Sequence, residues 1–151
     1  MQLNQYLILD GIACALVGAR LPWSETAAQA VFAMESPGPC TIYGWETNLG
    51  PLPAALLNST FIQGFELEDY HSDAPLHSNS LVIPALLAAA EHESNTPSGR
   101  QPFTGVTFLL AVIIGCEVGP RIGLALNGTE MLNRGWHSGA VFGPPPQLQR
   151  P

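Results

Sequence analysis

Two Ala-rich apolar segments, residues 52–65 and 81–90, enclose the polar stretch Glu66-Leu67-Glu68-Asp69-Tyr70-His71-Ser72-Asp73-Ala74-Pro75-Leu76-His77. No other feature constrains the fold as much. Six carboxylate or imidazole side chains fall within that stretch, in a chain whose charged residues make up only 11%. Burying both flanks leaves the polar residues at the rim of a packed core. Carboxylates and imidazoles held in place there are candidates for proton transfer. The competing reading, on composition alone, is a solvated acidic loop that keeps the protein soluble.

A chain of 151 residues suffices for one domain with a real core. Hydrophobic residues at 46% and a mean hydropathy of +0.18 exclude disorder. Charge this sparse implies that some apolar surface is covered by a partner or by further chain. The net charge of −7, with five Arg and no Lys, excludes nucleic acid as a partner, since phosphate neutralisation needs clustered cations. A small polyanion would have to draw on Arg20, Arg100, Arg121, Arg134, protonated His or backbone N–H groups. Cys14, Cys40 and Cys116 are odd in number, far apart and without a CxxC, which fits reduced thiols in an intracellular protein. The start, Met1-Gln2-Leu3-Asn4-Gln5, lacks the basic region of a secretory signal. The apolar run 106–116 is about half what a membrane span requires. The expectation is a soluble protein of cytoplasm or mitochondrion with no membrane partner.

Apolar residues at Leu7, Ile8, Ile12, Ala15, Leu16 and Ala19 predict a helix over 3–20. Ser24 is read as the N-cap of a second helix, 25–34, stopped by Ser36-Pro37-Gly38-Pro39. Residues 40–45 read as a short strand. Pro51 and Pro53 suit the first turn of a third helix. Ser78 or Ser80 is expected to cap a fourth, running through His92, and 93–102 reads as a loop. Thr104 caps a long apolar helix over 105–126, with Pro120 inside it and Glu117 and Arg121 spaced to pair. A short helix over 129–133 follows. The fold class is mostly α: a helical domain over 1–143 and a Pro-rich tail over 144–151.

Reactive side chains gather at a second place, Gly135-Trp136-His137-Ser138-Gly139. Flanking glycines allow a sharp turn that presents the imidazole from a fixed position, where it can act as acid or base. A structural turn with His137 packed on Trp136 is the alternative. His71, His77, Asp69 and Asp73 are metal-ligand types, but their spacing matches no standard metal pattern, so neither metal nor cofactor is expected. No Gly-x-Ser-x-Gly elbow and no phosphate-binding glycine loop is present. The Gly115, Gly119 and Gly123 spacing reads as close helix packing.

Four ordered motifs carry a resemblance: Tyr6-Leu7-Ile8-Leu9-Asp10-Gly11-Ile12-Ala13-Cys14, the 66–77 stretch, Gly119-Pro120-Arg121-Ile122-Gly123, and Asn133-Arg134-Gly135-Trp136-His137-Ser138-Gly139-Ala140-Val141-Phe142-Gly143. Together they resemble the N-terminal helical domain of the MmgE/PrpD family, which includes 2-methylcitrate dehydratase and cis-aconitate decarboxylase. The wording of residues 69–77 is closest to the fungal, itaconate-forming decarboxylases. The resemblance implies a metal-free lyase acting on a citrate-derived carboxylate. It implies His77, His137 and Glu66 as catalytic residues, and Tyr70, Asp69 and His71 around the substrate. Glu66 or Asp69 is the carboxylate expected to support a histidine.

The family's members are longer, so the resemblance also implies a truncated domain whose second, α+β domain is absent. The decarboxylases' active-site lysines would lie in that remainder. Glu66 replaces an Asp found in some members. The function classes are then a cis-aconitate decarboxylase-like lyase taking a small tricarboxylate, a 2-methylcitrate dehydratase-like lyase, and an inactive or accessory fragment. The partners expected are a second copy, as a homodimer, or a full-length paralogue.

Overall fold

The computed structural model describes residues 2–95 and 103–136. Among these, six helices and a two-stranded hairpin follow in the order α1 (Gln2–Gly18), α2 (Pro22–Met34), β1 (Pro37–Thr41), β2 (Asn48–Leu49), α3 (Pro51–Gln63), α4 (Ser78–Asn95), α5 (Gly105–Ala125) and α6 (Gly128–Asn133). The mostly helical class is as the sequence indicates. The 144–151 tail lies outside the described residues.

Helix α4 sits between α3 and α5, and α1 lies across α3 and α4. Small residues make this possible. A Cβ on Gly18 would fall 1.8 Å from the Phe61 carbonyl oxygen, so α1 meets the α3 backbone directly. Likewise, a Cβ on Gly115 would fall 2.8 Å from Val82, and one on Gly119 would fall 2.7 Å from Leu76. The glycine spacing of α5 is therefore close packing, against α4 and against the polar stretch. Ala15, Ala19, Ala28, Ala54, Leu57, Phe61, Ile62 and Ala88 form the core with Cys40, Ile42 and Leu49 of the hairpin region.

Two local expectations need correction. Helix α2 begins at Pro22, with Leu21 as an extended N-cap, because proline's fixed φ and missing N–H suit a first helical position. Ser24 is buried one turn inside instead, and the neighbouring Trp23 indole donates to the Gly64 carbonyl at 2.8 Å. The strand lies at Pro37–Thr41 rather than 40–45, pairing antiparallel with Asn48–Leu49 through an irregularity between Pro37 and Cys40. Two prolines are tolerated there because a two-stranded ribbon leaves one edge of each strand unpaired.

The hairpin is fastened by polar side chains. Asn58 donates to Thr41 O and accepts from Tyr43 N, both at 2.9 Å, and Glu91 accepts from Thr41 N and Oγ1 at 2.8 and 2.6 Å. Thr104 caps α5 as expected, in a reciprocal box with Thr107.

Of the 21 residues of α5, only Val112 and Gly123 are buried. Val106, Leu110, Ile114, Val118 and Ile122 form an exposed stripe at helical spacing. By length and composition α5 is apolar enough to cross a membrane, with a mean hydropathy of 1.7. The apolar run thus exceeds 106–116, because the helix continues past Glu117, which Arg121 pairs one turn on.

Candidate active site

The polar stretch forms the connection between α3 and α4, and its turns are built from its own side chains. Glu66 takes a left-handed φ of 52°, uncommon for a residue with a side chain, and so turns the chain out of α3. His71 N donates to Leu76 O at 2.9 Å, and Ala74 N lies 3.2 Å from both His71 O and His71 Nδ1. One nitrogen of the His71 ring is thereby committed to the loop. A Cβ on Gly128 would fall 2.4 Å from Pro75, which places the start of α6 against the same loop.

Asp69 closes the loop onto α4. Its Oδ1 accepts from Asn79 N at 2.7 Å and its Oδ2 from Ser78 N at 3.2 Å. The cap of α4 is therefore Asp69, not Ser78 or Ser80. Helix α4 presents unpaired N–H groups at its start, and a carboxylate satisfies two of them while meeting the positive end of the dipole. The fully buried Asn79 continues the chain of contacts to α1, donating to Asp10 at 3.3 Å. Ser80 Oγ accompanies it, within 2.9 Å of Gln63 Oε1 and 3.0 Å of His77 O.

His77 immediately precedes α4. Its Nδ1 lies 3.1 Å from Glu68 Oε1, with the Glu68 side chain 0% and the His77 side chain 14% exposed. The two atoms are in contact but are not aligned as a hydrogen bond. Tyr70 lies over the imidazole, ring centroids 4.9 Å apart and planes tilted by 43°. The carboxylate beside His77 is thus Glu68. Glu66, expected in that place, is exposed and makes no side-chain hydrogen bond or ion pair among the described residues. Sequence reasoning passed over Glu68, and the loop inverts the usual rule: Leu67 is 71% exposed while its neighbour Glu68 is buried.

Residues 1–146 match the MmgE/PrpD N-terminal domain family. The chain belongs to the MmgE/PrpD family. It is 54% identical over 141 residues to cis-aconitate decarboxylase of Aspergillus terreus, covering 93% of this chain and 28% of that relative. It is 51% identical over 145 residues to the cis-aconitate decarboxylase-like protein oryM of Aspergillus oryzae, covering 96% of this chain and 30% of that one. Human cis-aconitate decarboxylase is 28% identical over 145 residues, covering 95% of this chain and 29% of that enzyme. The chain spans less than a third of the length of these relatives.

Within this MmgE/PrpD domain, His77, Tyr70, Glu68 and Asp69 come together, with His71 in the same loop and Glu66 on its outer side. His137 lies outside the described residues. The chain leads toward it through Gly135, whose φ of 84° makes a left-handed turn, and through Trp136, whose N–H donates to Met131 O at 3.2 Å. A cavity of about 500 Å³ at the α5–α6 corner is lined by Leu126, Asn127, Glu130, Met131, Arg134 and Trp136. None of the 66–77 residues lines it, and Arg134 is already paired with Glu130 at 2.9 Å. No group of metal-ligating side chains is assembled among the described residues.

Burial pushes the Glu68 carboxyl above its ordinary value of 4.5; its own amide and His77 pull it down, while Asp69 and Glu66 push further up. Burial likewise raises Asp69, against the pull of the Asn79 and Ser78 amides and His77. Each acid therefore binds its proton more readily in the folded chain. Their stabilising contribution is complete below the unfolded values and lost as pH rises through the folded ones. The melting temperature is expected to fall as pH rises above the ordinary values of 3.8 for Asp69 and 4.5 for Glu68, opposite to the trend for salt-bridged surface carboxylates, with a shallower slope in Glu68→Gln. Thermal melts across that rise check this; a flat or rising wild-type curve contradicts it.

Proposed function

We propose that this chain serves a lyase of the cis-aconitate decarboxylase type, releasing CO2 from cis-aconitate or an alkylated aconitate analogue to give an itaconate-type product in fungal specialised metabolism. One observation carries the reading. His77 is paired with a buried carboxylate beneath Tyr70, in a chain whose relatives include named cis-aconitate decarboxylases. When the bond to the departing carboxylate breaks, its electron pair stays on carbon, and that carbon must take a proton. An imidazolium at His77 gives up the proton, attracts the remaining carboxylates, and is recharged from water. His137 supplies a second imidazole, and Glu66, Tyr70 and the free nitrogen of His71 contact the substrate. Asp69 supports this arrangement by holding α4.

The described arginines face other tasks. Arg20 donates to Gly44 O and lies over Trp45, Arg121 pairs with Glu117, and Arg134 pairs with Glu130. Among the described residues, imidazolium and backbone N–H groups are then what the chain brings to a tricarboxylate, and further cations come from protein equivalent to the rest of its longer relatives. The reaction needs no metal or cofactor, and its compartment is cytoplasm or mitochondrion.

A second reading is favoured by α5. Its exposed apolar stripe fits a chain that associates with a second copy or with a full-length paralogue. Protein suits this face better than lipid, because the helix carries the Glu117–Arg121 pair within its length.

The test is to incubate the purified protein with cis-aconitate, trap CO2 and follow itaconate by NMR. Product is expected from the wild type, and His77→Ala and His137→Ala should each reduce turnover at least about 100-fold in protein that circular dichroism shows to be folded, with His77→Ala also melting lower because it leaves Glu68 unpaired. Full activity in either variant removes that residue from the site. No product here, with a longer relative active in the same assay, moves the function to the accessory reading.

A further inference from the structure

We propose that Glu68 is a positioning residue that fixes the imidazole of His77 so that Nε2 is the nitrogen presented for proton transfer. The role rests on the lyase reading for its use, but the geometry stands without it.

Burying a carboxylate costs several kcal/mol unless it is paired, and the chain does so while leaving the adjacent leucine in water. Packing alone would favour the reverse. The one basic side chain that Glu68 touches among the described residues is His77, through Nδ1. Asp69 cannot take its place, because both of its oxygens are held by α4 amides. Tyr70 covers one face of the imidazole, and the His77 backbone is tied to Ser80. With Nδ1 committed to Glu68, the transferable proton resides on Nε2.

The proton count is consistent with this. When the pair is loaded, one proton lies between Glu68 and Nδ1 and a second sits on Nε2. Transfer of the Nε2 proton leaves the first on Nδ1, facing the carboxylate. Glu68 keeps the imidazole from turning over between cycles. Burial of Glu68 supports the same picture, since a carboxyl held in apolar surroundings is a strong acceptor for the proton that Nδ1 retains.

The test needs no turnover. In protein labelled with 15N-histidine, at about pH 9 where an imidazole is neutral, ring nitrogen shifts report which nitrogen holds the proton. For His77 the Nδ1–H form is expected to predominate, because an N–H facing a buried carboxylate at 3.1 Å is favoured over a lone pair facing it. Glu68→Leu, which matches the volume without an acceptor, should return His77 to the Nε2–H form preferred by free imidazole and hold or raise the melting temperature. Glu68→Gln keeps an acceptor and should keep the Nδ1–H form. A wild-type His77 already in the Nε2–H form overturns the assignment, whether or not the variants fold. An unchanged ratio in a folded Glu68→Leu does the same. Absence of decarboxylation leaves these spectra untouched, so the two failures are told apart.

Discussion

Gly18→Ala is expected to remove a large part of the stability of this domain. The added methyl would lie 1.8 Å from the Phe61 carbonyl oxygen and 2.8 Å from its carbon. Both are backbone atoms of α3, so no side-chain rotation relieves the contact; α1 and α3 must separate. Overpacking costs about 1–3 kcal/mol where side chains give way, and a backbone obstacle puts this site at or above that range. The helix propensity of Ala over Gly returns less than about 1 kcal/mol at the end of α1. A net loss of about 3 kcal/mol is a large share of the roughly 5–15 kcal/mol that domains possess. Gly105→Ala is the matched control, since nothing lies within 4 Å of a Cβ there. That variant should melt within about 2 °C of wild type, while Gly18→Ala should melt on the order of 10 °C lower. Equal melting temperatures would mean that α1 does not approach α3 as described.

The helices were legible where one local rule acts without competition. Thr104 before an apolar run gave the start of α5, and Pro51 with Pro53 gave the start of α3. Where two rules compete, the sequence alone does not rank them. Pro22 and Ser24 can both open a helix, and proline at the first position prevailed. Prolines 37 and 39 read as a break, yet they sit in a strand because only one edge of it is paired.

The site was legible in part. His77 stands out as the last ionisable residue before an apolar helix. Glu68 does not, because the facing of residues in an irregular loop follows no period. Only tertiary structure sends Glu68 inward and Leu67 outward. The capping role of Asp69 is hidden for the same reason: its contacts at Ser78 and Asn79 lie nine and ten residues along the chain, beyond any local capping pattern.

That difference in role gives the second large effect. Asp69→Ala should destabilise the domain by about 3 kcal/mol, because it leaves the two buried amides that it caps unsatisfied at about 1–3 kcal/mol each, less the relief of no longer desolvating a carboxylate. Ser78 and Asn79, whose N–H groups lose their acceptors, are 4% and 0% exposed, so water cannot readily replace it. Asp69→Asn keeps one acceptor oxygen and should lose about half as much. Amide hydrogen exchange localises the effect: protection should fall at Ser78 and Asn79 before it falls in α3. His77 is joined directly to that first turn, so its ring signals should broaden in Asp69→Ala as its contact with Glu68 loosens. A residue that served only to bind substrate would leave both the melting temperature and the exchange of these amides unchanged. Such a result would return Asp69 to the substrate and leave the start of α4 without its cap.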